Sequence, residues 1–282
     1  MKRKLELTER NIRKYEAFLR REERESSAVE NYLRSLRRFA AWAGDSPVNK
    51  ETAAAWKMAL VEDGYAPVTI NAMLAAVNKF FVCMGYEAYK VRYLRIQRRL
   101  FRTPGRELTQ SEYQRLVETA REKGDKRLVL LMEAICATGI RVSEVRYITV
   151  EAARTGMAEV ALKGKIRTIL LPQKLCRKLL KYAKTQKIVS GELFLTRDGK
   201  SLSRKFIWAE MKRLCDRAGV ERSKVFPHNL RHLFARTFYR VCRDVVKLAD
   251  VLGHSSIETT RIYLLSTGKE YARQLNRLGL VS

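Results

Sequence analysis

Three short segments concentrate side chains with the chemistry to act on a phosphate ester. They read Ala-Thr-Gly-Ile-Arg-Val-Ser-Glu from residue 137, Pro-His-Asn-Leu-Arg-His from residue 227, and Leu-Gly-His from residue 252, with a tyrosine further on. The candidate side chains are Arg141, Glu144, His228, Arg231, His232, His254 and Tyr263. Together they offer a nucleophile, cations and proton carriers.

These side chains meet the needs of phosphoryl transfer. That reaction requires a nucleophile, cations that hold the phosphate oxygens, and groups that give and take protons. Arg141 and Arg231 carry forked, permanently charged donors that suit phosphate, and His228 and His254 exchange protons near neutral pH. Tyr263 offers an oxygen nucleophile, but its phenol, with a pKa of roughly 10, needs cationic surroundings to ionise.

A metal site is the first alternative. His228 and His232 are four residues apart and could share one helix face, as zinc ligands do. A zinc-protease helix carries Glu directly after its first histidine, where this chain has Asn229, and Arg231 would lie beside the metal. We therefore expect no metal, and without a Walker loop the sequence gives no indication of ATP or another cofactor.

Structural roles are the second alternative. Arg141 could only cap a helix or pair with Glu144, and Glu144 could be an ordinary ion-pair partner rather than a support for the site. His228 could only start a helix, and Tyr263 could be one of the core tyrosines in a chain that has 12. We assign His232 to packing.

The composition points to a polyanionic partner. Among 282 residues, 57 are Lys or Arg and 30 are Asp or Glu, which gives a net charge of +27 and a pI of about 10.2. A surplus this large favours nucleic acid. The basic residues are spread along the whole chain, whereas membrane binding would concentrate them in one amphipathic helix or cluster.

Cysteine usage and hydropathy indicate the compartment. Five separated cysteines without a CxxC pair predict neither a disulfide framework nor a zinc knuckle, and they favour a reducing interior. The first residues lack the apolar core of a signal peptide, and no apolar run approaches the ~18 residues of a membrane span. We expect a soluble, cytoplasmic and nucleoid-associated protein with no membrane partner.

Apolar residues at helical spacing, together with breaks in the chain such as Asp63-Gly64, predict four helices in residues 1–98. They are Thr8–Glu22, a helix carrying an apolar stripe over 29–40, Lys50–Glu62 and Val68–Met84. Ser27 and Glu30 have the spacing of a capping box at the start of the second helix. Four short helices predict a small bundle.

A basic segment follows this bundle. Between Lys90 and Arg106 lie seven basic residues and no acidic one, and Pro104-Gly105 breaks the chain. We place a linker at 99–107 and expect this region to contact nucleic acid. The candidate contacts are Arg92, Arg95, Arg98, Arg99 and Arg102. A solvated linker is the alternative.

Residues 108–282 predict a mixed, mostly helical domain. The predicted helices are Leu108–Lys123 with Thr109 as N-cap, Arg127–Thr138, Arg141–Ile148, Gln173–Lys187, Arg204–Ala218 and Asn229–Cys242. Met157–Leu162 and Ile166–Leu171 predict a β-hairpin around Lys163-Gly164-Lys165. The fold class is therefore mainly α with a small β-sheet.

The three segments resemble the tyrosine recombinases, also called phage integrases, which include the Xer proteins. Residues 137–144 match the family's Ala-Thr-Gly-x-Arg-x-Ser-Glu block, 228–232 its His-x-x-Arg-His block, and 252–263 its Leu-Gly-His block, with tyrosine nine residues after the histidine. Residues 26–42 and 69–84 are similar to its core-binding domain. The resemblance implies an N-terminal helical, SAM-like core-binding bundle and a C-terminal mixed α/β catalytic domain.

The resemblance also implies residue roles. Arg141, Arg231 and His254 would bind the scissile phosphate of DNA, and Tyr263 would attack it to form a 3′-phosphotyrosine. His228 would assist proton transfer. Glu144 would support the site without reacting.

The lysine that would protonate the leaving 5′ oxygen lies on the hairpin. The family's hairpin reads Gly-Lys-Gly-x-Lys-x-Arg, whereas this chain reads Leu-Lys-Gly-Lys-Ile-Arg over 162–167, one residue shorter. The resemblance assigns Lys163 to this role, with Lys165 as the alternative.

The implied partner is double-stranded DNA with inverted half-sites. Two protomers would bind one site, and a homotetramer would join two sites through a Holliday junction, with accessory proteins an open question. Thr267 and Glu270 have capping-box spacing ahead of a tail with Tyr271, Leu275 and Leu278 on one helix face. In relatives such a tail docks on a neighbouring protomer.

Two rival functions are a monomeric type IB topoisomerase and a DNA-binding regulator that does not cut.

Overall fold

Four α-helices form the first part of the chain, as their apolar spacing predicts. They are α1 (Glu9–Arg21), α2 (Ser26–Ala43), α3 (Lys50–Glu62) and α4 (Pro67–Met84). The computed structural model describes residues 5–96, 105–162, 165–263 and 276–278, and of residues 162 and 165 only the backbone. Within it the chain forms two compact units, Met1–Arg98 and Arg99–Ser282.

Aromatic side chains fill the core of the first unit. Tyr15, Phe39, Trp56, Phe80 and Phe81 are all buried there. Tyr15 meets Phe80 edge to face, with ring centroids 5.5 Å apart, and its hydroxyl donates to the Ala76 carbonyl at 2.7 Å. That bond satisfies the polar end of a ring that packing has taken out of water.

Two predictions about this unit are corrected. The capping box at Ser27 and Glu30 does not form, because the N-cap of α2 is Glu25, two residues before Ser27, and the helix begins at Ser26. Helix α4 is long and apolar enough to cross a membrane by length and composition, with a mean hydropathy of 1.4. One set of its apolar side chains is buried in the core of the bundle, and others, such as Val68, are exposed. The helix therefore packs as an element of the bundle core.

Two asparagines of α4 hold the start of the basic segment on the first unit. The side-chain amide of Asn78 donates to the Val91 carbonyl and accepts from the Val91 N–H, both at 2.9 Å. Asn71 makes the same pair of bonds with Leu94, at 2.9 and 2.8 Å. These bonds leave Arg92 and the neighbouring basic side chain at 95 exposed.

The second unit is helical around one β-hairpin. Its elements are α5 (Gln110–Glu122), α6 (Lys126–Thr138), a 3₁₀ helix (Val142–Tyr147), α7 (Val150–Thr155), β1 (Met157–Leu162), β2 (Lys165–Leu170), α8 (Gln173–Thr185), α9 (Arg204–Lys212), α10 (Cys215–Ala218), α11 (Pro227–Cys242), α12 (Val245–Leu252) and α13 (Ile257–Arg261). The strands pair antiparallel with Met157 opposite Leu170. The predicted fold class, mainly α with a small sheet, is confirmed.

Local signals account for most of these boundaries. Thr109 is the N-cap of α5, as predicted, and it also forms a capping box with Glu112. The helix predicted over 204–218 divides into α9 and α10, and the one predicted over 141–148 is a 3₁₀ helix. Helix α6 is buried on most faces and packs against α11. The elements around it, including α11 and the 3₁₀ helix that follows α6, pack against this buried helix.

Gly139 ends α6 in a way that other residues could not. Its φ of +65° is the left-handed conformation that favours glycine. An added Cβ would also lie 2.9 Å from the Leu252 side chain and closer still to the ring of Phe234. The turn is thus pressed against α11 and the end of α12, where the candidate site lies.

Candidate active site

The candidate site is built around the C-terminal end of α12. Helix C-termini leave backbone carbonyls without intrahelical partners and carry partial negative charge. Here three consecutive carbonyls each accept from a different arginine. Arg167 donates to Val251 at 3.3 Å, Arg231 to Leu252 at 2.8 Å and Arg141 to Gly253 at 3.3 Å. His254 is the next residue in the chain, so these bonds also fix the backbone position from which its side chain extends.

Glu144 ties two of these arginines together. It lies in the 3₁₀ helix, where its side chain is 3% exposed, and its Oε1 accepts from Arg141 Nη1 at 2.9 Å. Its Oε2 accepts from the Arg141 backbone N–H at 2.9 Å and from Arg167 Nη2 at 2.5 Å. Burial acts to raise the pKa of Glu144, but the hydrogen bonds from Arg141 and Arg167 and the positive charge of Arg167 lower it below the usual range. The carboxylate is therefore ionised at neutral pH.

Helix α11 supplies the deepest cation. Arg231, 2% exposed, donates to the Gly139 carbonyl at the end of α6 and to the Leu252 carbonyl at the end of α12. Burial lowers the pKa of this arginine to about 10, and a hydrogen bond with Tyr263 opposes that change. Its guanidinium thus remains charged at neutral pH.

His254 joins Arg231 to the last helix. Arg231 Nη2 lies 2.9 Å from His254 Nε2, and His254 Nδ1 lies 2.7 Å from Thr260 Oγ1. Arginine can only donate, so Nε2 accepts, and the neutral ring carries its proton on Nδ1 and donates it to Thr260. Burial, followed by the charges of Arg231 and Arg141, lowers the pKa of His254 to about 4. The ring is neutral at physiological pH.

Tyr263 lies among all three histidines of the chain. Its ring centroid is 4.4 Å from that of His232, 5.7 Å from that of His254 and 6.1 Å from that of His228. His254 is stacked on it, with planes 9° apart, whereas His232 meets it at 69°. Tyr263 itself is 3% exposed. The predicted nucleophile therefore has its predicted partners as immediate neighbours.

The other two histidines are also held neutral. Burial lowers the pKa of His228, and the nearby charges of Arg231 and Arg141 add to this. Burial lowers the pKa of His232 to about 4, with further contributions from His228 and two arginines. His232 packs between His228 and Tyr263, in keeping with the packing role predicted for it. In the part of the chain that the structure describes, no group of three or more His, Cys, Asp or Glu side chains could hold a metal.

The structure brings together six of the predicted site residues: Arg141, Glu144, His228, Arg231, His254 and Tyr263. Lys163 lies outside the described residues, and of Lys165 only the backbone in β2 is described. Arg92 and Arg95 are exposed on the first unit, while Arg98, Arg99 and Arg102 lie outside the described residues. The tail positions Thr267, Glu270, Tyr271 and Leu275 also lie outside them.

Sequence reasoning missed two residues that complete the site. Thr260 is fully buried and fixes the His254 ring, but nothing in a lone threonine distinguishes it before folding. Arg167 pairs with Glu144 from strand β2. The sequence did contain a signal for Arg167, because the family's hairpin motif, Gly-Lys-Gly-x-Lys-x-Arg, ends in an arginine at this position.

A family model and several known proteins match the sequence of this chain. Residues 106–270 match the phage integrase family. The tyrosine recombinase XerA of Pyrococcus furiosus is 28% identical over 280 residues, covering 96% of this chain and 94% of that protein. XerD of Staphylococcus saprophyticus is 35% identical over 142 residues, which are 47% of this chain and 48% of that one.

A solved structure has the same fold. A lambda integrase dimer bound to a COC′ core site aligns with 93% of this chain and 96% of its own, with a TM-score of 0.72 and 17% identity. The family match covers more than half of the chain, so this protein belongs to the phage integrase family. It is a tyrosine recombinase, an enzyme that breaks and rejoins DNA strands at specific sites.

Proposed function

We propose that Tyr263 is the nucleophile and that its attack on the scissile phosphate forms a 3′-phosphotyrosine intermediate. The observation that carries this proposal is the ring of neighbours around Tyr263. Its ring is stacked on that of His254, which in turn contacts the buried, charged Arg231. Tyr263 therefore lies close to the side chains that hold the phosphate in this mechanism.

The two arginines of the motifs act on the phosphate. Arg141 and Arg231 are held by carbonyls at the end of α12, and each guanidinium has five N–H donors. Each can keep one bond to a carbonyl while others turn to phosphate oxygens, where charge grows in the transition state. His254 adds a third contact with the phosphate, for which its Nε2 must carry a proton and donate it to a phosphate oxygen in place of the bond from Arg231. His228 assists proton transfer, which a neutral ring can do because it can accept a proton.

The leaving group and the energy balance complete the reaction. Lys163, with Lys165 as the alternative, protonates the 5′ oxygen as the P–O bond breaks. The phosphotyrosine ester conserves the energy of the broken phosphodiester, so a 5′ hydroxyl can attack it and rejoin the strand without ATP. The arginines supply positive charge at the phosphate.

The substrate follows from the relatives. One solved neighbour is XerH on a palindromic difH substrate, and others are a lambda integrase dimer on a core site and a tetramer on a Holliday junction. For this chain we propose double-stranded DNA with inverted half-sites, a dimer on each site and a homotetramer on two. The basic segment and the net charge of +27 support phosphate contacts, and binding should weaken steeply with salt. The cytoplasmic nucleoid is the expected place of action.

The decisive experiment selects the substrate and the covalent product together. Nicked duplexes of random sequence are incubated with the protein, and DNA that remains attached after denaturation is recovered and sequenced. Wild type should attach, and Tyr263→Phe, which lacks the nucleophilic oxygen, should not. Equal attachment by both would refute the assignment of Tyr263.

The selected duplex then separates this function from its rivals. Joining of two separate duplexes supports a recombinase, whereas relaxation of supercoils without joining indicates a topoisomerase. Binding without a covalent product indicates a regulator. Deleting residues 268–282 should abolish cooperative assembly on paired sites, and normal assembly by the truncated chain would remove the proposed docking role of the tail.

A further inference from the structure

Arg167 is a third arginine at the site, outside the three sequence motifs. It projects from β2, and its side chain is 15% exposed. One guanidinium nitrogen donates to Glu144 at 2.5 Å and another to the Val251 carbonyl at 3.3 Å. The residue therefore connects the hairpin, the 3₁₀ helix and the end of α12.

The contacts of Arg167 differ from those of the other two arginines. Arg231 reaches His254 and Tyr263, which face the reacting phosphate in the proposed mechanism. Arg141 is 38% exposed at the edge of the site. The described hydrogen bonds of Arg167 end instead on Glu144 and on a backbone carbonyl.

Gly253 shows how closely Arg167 is fitted to the turn. Its φ is +63°, and an added Cβ would lie 2.5 Å from Arg167 Cδ and 2.7 Å from Nη1. The arginine side chain thus passes directly over the backbone that leads into His254. The space above this turn is taken by Arg167, and the turn can approach it because residue 253 has no side chain.

We propose that Arg167 is a positioning residue for the phosphate site. It holds the turn from Val251 to His254, and through Glu144 the backbone of Arg141, while Arg141 and Arg231 turn donors toward the phosphate. The proposal rests on the function proposed above. It assigns Arg167 no contact with DNA.

The test compares Arg167→Gln with Arg121→Gln, which removes the same charge from an exposed ion pair with Glu118. Single-turnover cleavage is measured on the selected nicked duplex with protein in saturating excess. Arg167→Gln should slow cleavage on the order of 100-fold, because small misplacements of reacting groups cost about that much. Its DNA affinity should equal that of Arg121→Gln. A cleavage rate equal to wild type would overturn the proposal.

A double-mutant cycle separates positioning from direct phosphate contact. Because Arg167 acts partly through Glu144 and partly through the Val251 carbonyl, the loss in the double variant should be smaller than the product of the two single losses. A full multiplicative loss would show that Arg167 acts independently of Glu144 and overturn the proposal. Arg167→Lys keeps the charge but not the fork that spans Glu144 and Val251, so it should restore only part of the rate. It also serves if Arg167→Gln fails to fold by circular dichroism.

A second readout requires no DNA. The chain has three histidines, so the His254 ring can be followed by NMR titration. The groups that lower the pKa of His254 are, after burial, Arg231, Arg141, Arg167 and His228. Arg167→Gln should raise that pKa and Arg121→Gln should not, and an unchanged titration would count against the placement of Arg167. If wild type never attaches to DNA, the proposed function fails, whereas this titration still tests the positioning role.

Discussion

Replacing Glu144 with glutamine tests the pairing on which the site is built. The side chain keeps its shape and one acceptor oxygen, but the carboxylate shared by Arg141 and Arg167 is lost. An amide N–H₂ group would then face an arginine that can only donate. Since Glu144 is 3% exposed, water cannot replace the lost bonds.

The expected cost follows from the two contacts. Hydrogen bonds to charged groups contribute about 1.5–3 kcal/mol each. The contact between Glu144 and Arg167 is nearly buried, so its contribution to stability lies in that range. Arg141 is 38% exposed, so the contribution of its contact is reduced toward that of a surface ion pair. We expect the free energy of unfolding to fall by about 3 kcal/mol, as when one partner of a buried pair is removed. For a unit of this size, that corresponds to a Tm lower by about 6–12 °C.

Thermal unfolding at neutral pH measures this effect, with Glu118→Gln as the matched control. Glu118 pairs with Arg121 at the same sequence separation, but both side chains are more than half exposed. Its removal should change stability by less than about 1 kcal/mol. Equal Tm shifts in the two variants would refute the reasoning.

The pH dependence gives a second check on the same residue. The pKa of Glu144 is lowered in the fold, so its stabilisation is fully present above the pKa of an unfolded glutamate, about 4.3. The stabilisation is lost as the pH falls through the lower, folded value. The stability difference between wild type and Glu144→Gln should therefore vanish in acid, and a difference that persists there would contradict an ionic origin.

Two further predictions concern two histidines beside Tyr263 and the turn at Gly139. The pKa values of His232 and His254 are about 4, so the unfolded chain binds protons that the fold excludes between about 6.5 and 4. The free energy of unfolding should fall as the pH drops through that window, and denaturant titrations should show a smaller fall in His232→Phe, which keeps a ring against Tyr263; identical pH profiles would be the contrary result. Gly139→Ala should cost about 1–3 kcal/mol more than Gly124→Ala, because both glycines have positive φ but only the first would meet Phe234 and Leu252. Equal unfolding free energies would show that the turn has room.

The sequence predicted the helices of the first unit because each carries its own signal. Helix α3 was predicted at Lys50–Glu62, where it lies, since the break at Asp63-Gly64 that ends it is a local feature. The start of α2 was misplaced because any Ser-x-x-Glu spacing resembles a cap, and only the folded backbone decides which residue is non-helical. Helices α12 and α13 were not predicted. They are eight and five residues long, too short for periodicity to be informative.

The site could be predicted where chemistry and spacing coincide in one segment. Arg231 and His254 come from motifs far apart in sequence, yet their side chains meet at 2.9 Å. What the motifs could not show is how the guanidinium groups are held. The backbone partners of Arg231 are the carbonyls of Gly139 and Leu252, and nothing in a sequence marks which carbonyls will accept such bonds. They exist as acceptors only because two helices end there.

In the proposed mechanism, these carbonyl partners leave the buried Arg231 available to a phosphate. A carboxylate beside Arg231 would cancel its charge, and among the described contacts it has none. It is held instead by the ends of α6 and α12, whose partial negative charges are each worth about half a unit. The carboxylate of Glu144 offsets one arginine charge. Its Oε1 contacts the side chain of Arg141 and its Oε2 contacts that of Arg167. Three arginines against one carboxylate leave the surroundings of Tyr263 positively charged before DNA binds, so in the proposed mechanism an incoming phosphate meets charge that is already in place.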